Sequence, residues 1–282
     1  MKRFALLIFI AVITAPSYSF AQVKEKKVVS FNAASRPKNL SDSALLDLVQ
    51  KQTFRYFWDF AHPVSGMARE RSNETSNYGN EVVTTGGTGF GVMAVITATE
   101  RKWISRDTAA RFLLKMVRFL SKADAYHGVF AHWLNGATGK TIPFSRKDDG
   151  ADLVENAFLF QGLLCARQYF DGDSDSEKQL RNRINGLWND IEWDWFTREG
   201  RDVLYWHWSP NNGWAMNFAV RGFNECLIMY VLAASAERYP VPAAVYHKGW
   251  AESNFFKNGK EFYKIKLPLG FDYGGPLFFS HY

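Results

Sequence analysis

Two cysteines in 282 residues, Cys165 and Cys226, are too few for a disulfide framework. Both fall in apolar helical stretches, which is the setting of buried thiols, and a bridge between them stays open on the sequence alone. Long basic runs are missing as well. None exceeds Lys24-Glu25-Lys26-Lys27, no helix face is basic, and Lys2 and Arg3 supply two of the net +6 charges, so nucleic acid is not an expected partner. No apolar run reaches the roughly twenty residues of a bilayer-spanning helix. The run nearest the start, Phe4 to Ala15, follows Lys2-Arg3 and precedes Ser19-Phe20-Ala21, which is the pattern of a cleaved secretory signal over residues 1–21. Export to the periplasm or beyond is expected, and with no Cys after the cleavage site a lipid anchor is not.

Ligand spacings for metals and nucleotides are also wanting. His127 and His132 lack helical spacing and a third partner, so no metal is expected there, and no other cofactor motif appears. Asp171-Gly172-Asp173-Ser174-Asp175-Ser176-Glu177 has the composition of a calcium loop, but its Gly comes second where the sixth position needs it, and a turn with a helix cap is the better reading. Gly86-Gly87-Thr88-Gly89-Phe90-Gly91 is not followed by Gly-Lys-Ser/Thr, so it reads as a closely packed helix start capped by Thr88 rather than a phosphate loop.

What is abundant is aromatic: 24 Phe, 12 Tyr and 10 Trp, more rings than a core hides easily once the polar tips of Tyr and Trp are counted. Residues 22–40 are polar and aperiodic, a flexible lead-in. From Ser41, helical spacing of apolar residues predicts helices to about residue 60, from 88 to 101, from 105 to 122, from 153 to 170, from 177 to 191, from about Phe223 to Arg238 and from Pro242 to about Lys257. Between alternate members lie long polar or aromatic loops, 64–87, 123–147 and 193–214. Loops of that length are often functional.

The densest chemistry is at Asp148-Asp149-Gly150-Ala151-Asp152-Leu153-Val154-Glu155, four carboxylates running into an apolar helix. Asp152 and Glu155 share a helix face, with Asp148 or Asp149 one turn earlier. First-turn acids are favoured by the helix dipole even without a function. Here, however, the helix is apolar nearly all round, and buried carboxylates need a reason. Glu225 stands alone among apolar neighbours, so desolvation should raise its pKa as a general acid requires. Trp206, His207, Trp208 and Trp214, and His132 with Trp133, offer flat faces and polar groups suited to sugar rings, or else an aromatic cluster closing one end of the domain.

At this point the chain resembles the glycoamylase-like family, in particular the bacterial endo-β-1,2-glucanases of glycoside hydrolase family 144. The resemblance is carried by Tyr56-Phe57-Trp58, Gly66 to Arg71, Thr88-Gly89-Phe90-Gly91, Gly128 to Trp133, Asp148 to Glu155, Trp206-His207-Trp208-Ser209, Arg221 to Glu225 and Asp272 to Phe278. It implies an all-α (α/α)6 toroid over residues 41–282, apparently incomplete at its C-terminal side, and a β-glucan substrate, most often β-1,2-linked, cleaved with inversion by a monomer. It further implies Glu225 as general acid, Asp148, Asp152 and Glu155 as base or orienting group, and Arg69 and Arg71 bonding sugar hydroxyls beside the Trp and His residues named above. A sugar-binding protein without chemistry and a transglycosylase on the same scaffold are the competing expectations.

Overall fold

The structure, a computed structural model, describes residues 37–72, 80–276 and 279. The signal over 1–21, the lead-in as far as residue 36, Asn73 to Gly79 of the first long loop and Leu277-Phe278 of the last motif lie outside the described residues. Among the described residues seven α-helices dominate: α1 (Asp42–Trp58), α2 (Thr85–Glu100), α3 (Arg106–Leu120), α4 (Leu153–Tyr169), α5 (Asp175–Asn189), α6 (Leu227–Ser235) and α7 (Ala243–Tyr246). They pack in two rows. In one, α2 lies on α4 and α4 on α6; in the other, α3 lies on α5.

Local chemistry sets the helix starts. Ser41, Ser105 and Ser174 each accept the N–H three residues on, from Ala44, Thr108 and Glu177, as the sequence leads one to expect. The turn and cap reading of 171–177 therefore holds. Glu177 is buried and accepts from the Arg106 guanidinium, which also donates to the Tyr169 carbonyl and ties α3 to α5. The crossing of α2 on α4 rests on missing side chains: a Cβ on Gly89 would stand 2.1 Å from the Phe158 carbonyl oxygen, and one on Gly162 2.3 Å from that of Gly89. Only bare backbones pass so closely.

Short ladders sit at the N-terminal ends of the first row. β1 (Val82–Thr84) runs into α2 and pairs antiparallel with β4 (Trp133–Asn135), which pairs with β5 (Thr141–Ile142). β2 (Ala125–Tyr126) and β3 (Val129–Phe130) form a hairpin, β6 (Ala151–Asp152) runs into α4 and pairs with β7 (His207–Trp208), and β8 (Glu261–Phe262) pairs with β9 (Ile265–Lys266).

Several expectations need correction. Residues 123–147, read as loop, contain β2 to β5. Thr88 is not a cap: α2 begins at Thr85, and the Thr88 hydroxyl accepts the Ala68 N–H and donates to the Thr84 carbonyl. α6 starts at Leu227 rather than Phe223, because the Asn224 side chain accepts the Cys226 N–H and donates to the Arg221 carbonyl, holding a turn instead. The last helix is shorter than its pattern, ending in a π turn over His247–Ala251, after which the Ser253 hydroxyl donates to the Trp250 carbonyl. Both thiols are free, and Cys165 is exposed while Cys226 is buried.

Candidate active site

The acidic stretch folds as a tight turn, a two-residue strand and a helix start. In the turn, Phe144 N–H donates to the Asp148 carbonyl over 2.8 Å. Asp149 does not face the other acids; its carboxylate accepts from Ser209 Oγ and Asn211 Nδ2, pinning the turn to the loop after β7. Gly150 permits this, since a Cβ there would meet the Trp208 carbonyl oxygen at 2.4 Å. Asp152 then ends β6 and caps α4, its Oδ1 accepting the Glu155 N–H over 3.0 Å.

Register does the rest. Asp152 pairs with His207 across β6 and β7, which brings together residues far apart in sequence. His207 Nε2 lies 3.1 Å from Asp148 Oδ2 and 3.5 Å from Asp152 Oδ2. From the other side His132 Nδ1 lies 2.9 Å from the same Asp152 oxygen. Glu155, one helical turn on, accepts the Gly86 N–H through Oε2 over 2.9 Å, at a glycine where a Cβ would stand 2.3 Å from that oxygen.

The electrostatics split the acids. Burial would raise the pKa of Asp152, which is 0% exposed, but the hydrogen bonds and charges of His132 and His207 outweigh it and hold this carboxyl below its usual range. Glu155 goes the other way: burial and the charge of Asp152 push it up to about 7. Burial opposes charge on His207 too, yet Asp148 and Asp152 lift it to about 9, and Asp152 raises His132 in the same way. Two aspartates thus face two imidazoles, with a protonatable glutamate beside them. His132, Asp148 and Asp152 bring ligand atoms within 4.8 Å of one another, close enough to hold a metal ion. In this arrangement Asp152 faces His132, and Asp148 faces His207.

Of the residues expected at the site, His132, Trp133, Trp206 and His207 are brought to the acids. Trp206 stacks on His207 with rings 5.5 Å apart and 11° from parallel, and Trp133 meets the edge of His132. Trp208 and Trp214 instead join a second aromatic group with Tyr126, His127 and Trp195. Strand alternation explains the split, for His207 and Trp208 are consecutive on β7 and point to opposite faces. The Arg69 guanidinium lies over the Phe60 ring, and Arg71 pairs with neighbouring Glu70. Glu225 lines a small cavity of about 160 Å³ with Gln161, Leu227, Ile228 and Val231; burial raises its pKa and leaves Oε2 without a protein partner. Cys226 lies between, close enough to feel Glu225, Asp152 and Glu155 together. Two rings were not foreseen. Phe144, 49% exposed, covers His132 at 4.2 Å, and Phe218, 52% exposed, meets Trp206 edge-on. Their only sequence signal was an apolar ring in a loop.

A buried group of carboxylates and imidazoles at the helix starts of an α-helical hairpin array is the setting the resemblance to the glycoamylase-like family implies, and comparison with known proteins bears that resemblance out. Residues 217–282 match the family model Glycoamylase, described as "Putative glucoamylase". The chain is similar to an exo-β-1,2-glucooligosaccharide sophorohydrolase of Parabacteroides distasonis, with 40% identity over 96% of this chain and 39% of that protein. Among solved structures it is similar to the endo-β-1,2-glucanase of Chitinophaga pinensis in complex with sophorotriose and glucose, at 52% identity and TM-score 0.82, over 86% of this chain and 59% of that one. A protein of Bacteroides uniformis that carries the same description as the family matches at 60% identity and TM-score 0.83, over 86% and 59%. The chain thus spans about two fifths of the curated relative and three fifths of these crystal structures.

Proposed function

We propose that this protein is a glycoside hydrolase that cleaves a β-1,2-linked glucan by an inverting acid and base mechanism on an (α/α)6 toroid, of which the two rows described here form one side. The observation that carries the chemistry is the opposed protonation of neighbouring buried carboxyls, Asp152 ionised and Glu155 poised near neutrality. The linkage rests on the names of the relatives.

In this reading Glu225, protonated by virtue of its desolvated setting, gives its proton to the glycosidic oxygen as the bond to the anomeric carbon breaks. Water attacks from the opposite face, and its proton passes to the group of Asp148, Asp152 and Glu155. Glu155 is the member suited to receive it, because Asp152 is engaged by two imidazoles and a backbone N–H. Inversion needs the acid and base about 6.5–9.5 Å apart so that water fits between sugar and base. Trp133, Phe144, Trp206 and Phe218 give apolar faces for sugar rings on either side of the acids, and Trp208 and Trp214 serve sugars farther along the chain. Arg69 and Arg71 bond hydroxyls. The basic start and apolar run of residues 2–15 support export, so the enzyme meets its glucan outside the cytoplasm as a monomer.

The test is release of reducing ends from β-1,2-glucan, with β-1,3- and β-1,4-glucans as controls, and proton NMR of the first product anomer. The expected product from β-1,2-glucan is the α-anomer, with kcat reduced at least about 1000-fold in Glu225→Gln and in Glu155→Gln. Redistributed chain lengths without new reducing ends, or no cleavage of any glucan, overturns the reading.

A further inference from the structure

His207 was foreseen as a residue that touches sugar. The geometry gives it another task. It reaches the acids through closely tied backbone: β7 pairs with β6 at Asp152, the Asp148 turn is bonded to the loop after β7 through Asp149, Ser209 and Asn211, and a Cβ on Gly150 would meet the Trp208 carbonyl oxygen. Trp206 covers the imidazole, whose side chain is only 11% exposed. Its Nε2 faces one oxygen from each of two aspartates.

We propose that His207 is a positioning residue that ties Asp148 to Asp152 through its Nε2, so that Glu155 is the member of the group that exchanges a proton.

The surroundings support this from each element in contact. The β4 segment contributes His132, which bonds Asp152 and lies near Asp148. From α2 comes only the Gly86 N–H, bound to Glu155, and the segment before α6 presents Cys226, whose thiol burial keeps neutral. Nothing else among these neighbours pairs with Asp148 as a cation. Without His207, two carboxylates would share a buried site with His132 as their single counterion, and one would take a proton. That aspartate would then compete with Glu155 for the proton, and the two would titrate as a coupled pair.

Carboxyl NMR of the full chain, labelled at Asp Cγ and Glu Cδ and titrated from pH 3 to 9, reads this directly. In the wild type one glutamate should titrate near pH 7, a signal lost in Glu155→Gln, while Asp152 stays ionised above pH 5. In His207→Leu an aspartate should titrate above pH 5, and the Glu155 titration should change with it as the two carboxyls couple. Unchanged titrations in a folded His207→Leu protein overturn the proposal. Should that variant fail to fold, Asp148→Asn replaces it: the His207 imidazole, followed by nitrogen-15, should then titrate at least about one unit lower, and no movement overturns the proposal equally. The kinetic role rests on the hydrolase reading, whereas the NMR needs no turnover, so the two fail separately. If β-1,2-glucan is cleaved, His207→Gln should lower kcat at least about tenfold with KM within about threefold and shift the pH profile; equal kcat and an unmoved profile would refute the positioning role.

Discussion

Asp152 shows how a residue can satisfy a bland and a sharp reading at once. It is the helix cap that its place before an apolar helix leads one to expect, and it is also the anion that two histidines surround. The cap was legible in the sequence because it is local. The histidines were not, since His132 and His207 lie 20 and 55 positions away and reach Asp152 only through β4 and the pairing of β6 with β7. The two roles separate in Asp152→Asn. Asparagine caps about as well as aspartate, so a capping role alone predicts almost no loss. Removing the buried anion leaves His132 facing no full charge and His207 with Asp148 alone, a change worth about 3–5 kcal/mol where one partner of a buried pair is deleted. Urea denaturation should show a loss in that range; a variant within about 1 kcal/mol of wild type would mean the histidines are neutral.

Among the elements, the paired α2 and α4 hold the site, because Gly86 on α2 binds Glu155 on α4 and Gly89 and Gly162 set how near the helices come. The glycine-rich stretch announced close packing in the sequence, and serine caps fixed the starts of α1, α3 and α5. The start of α6 was less legible because Asn224 competes with the helix for backbone hydrogen bonds, a local contest that apolar periodicity does not record. This view of the helices yields a paired prediction. Gly89→Ala drives a methyl into the Phe158 carbonyl and should cost more than the 1–3 kcal/mol typical of overpacking, because backbone rather than side chain must move. Gly186→Ala on α5, where a Cβ meets nothing within 4 Å, should stabilise by about 0.5–1 kcal/mol. Thermal unfolding of both variants decides whether the crossing is as close as its glycines imply.

For the molecule as a whole, its mainly helical character was readable from periodicity, whereas the partition of residues between the two aromatic groups depended on strand register too short to leave a pattern. Leu45, Leu46 and Val49 on α1, Phe90 and Met93 on α2 and Val231 on α6 are exposed apolar residues, in a chain that spans three fifths of the solved relatives. Global stability nevertheless reports on the buried site, since protons taken up there are linked to folding. Glu155 and His207 both hold protons more tightly when folded, at about 7 and about 9 against ordinary values of 4.5 and 6.5. Each therefore contributes stability that is complete below its unfolded value and is lost as pH rises through its folded one. Asp152 has the opposite sign: its contribution is present above its ordinary value of 3.8 and is lost as pH falls through its depressed one. The melting temperature should accordingly be highest at about pH 4 to 4.5 and fall in two steps toward pH 9. Glu155→Gln should remove the step below pH 7 and His207→Leu the step above it; a profile flat from pH 5 to 9 in the wild type would show that the carboxyls and imidazoles are not coupled as the distances between them require.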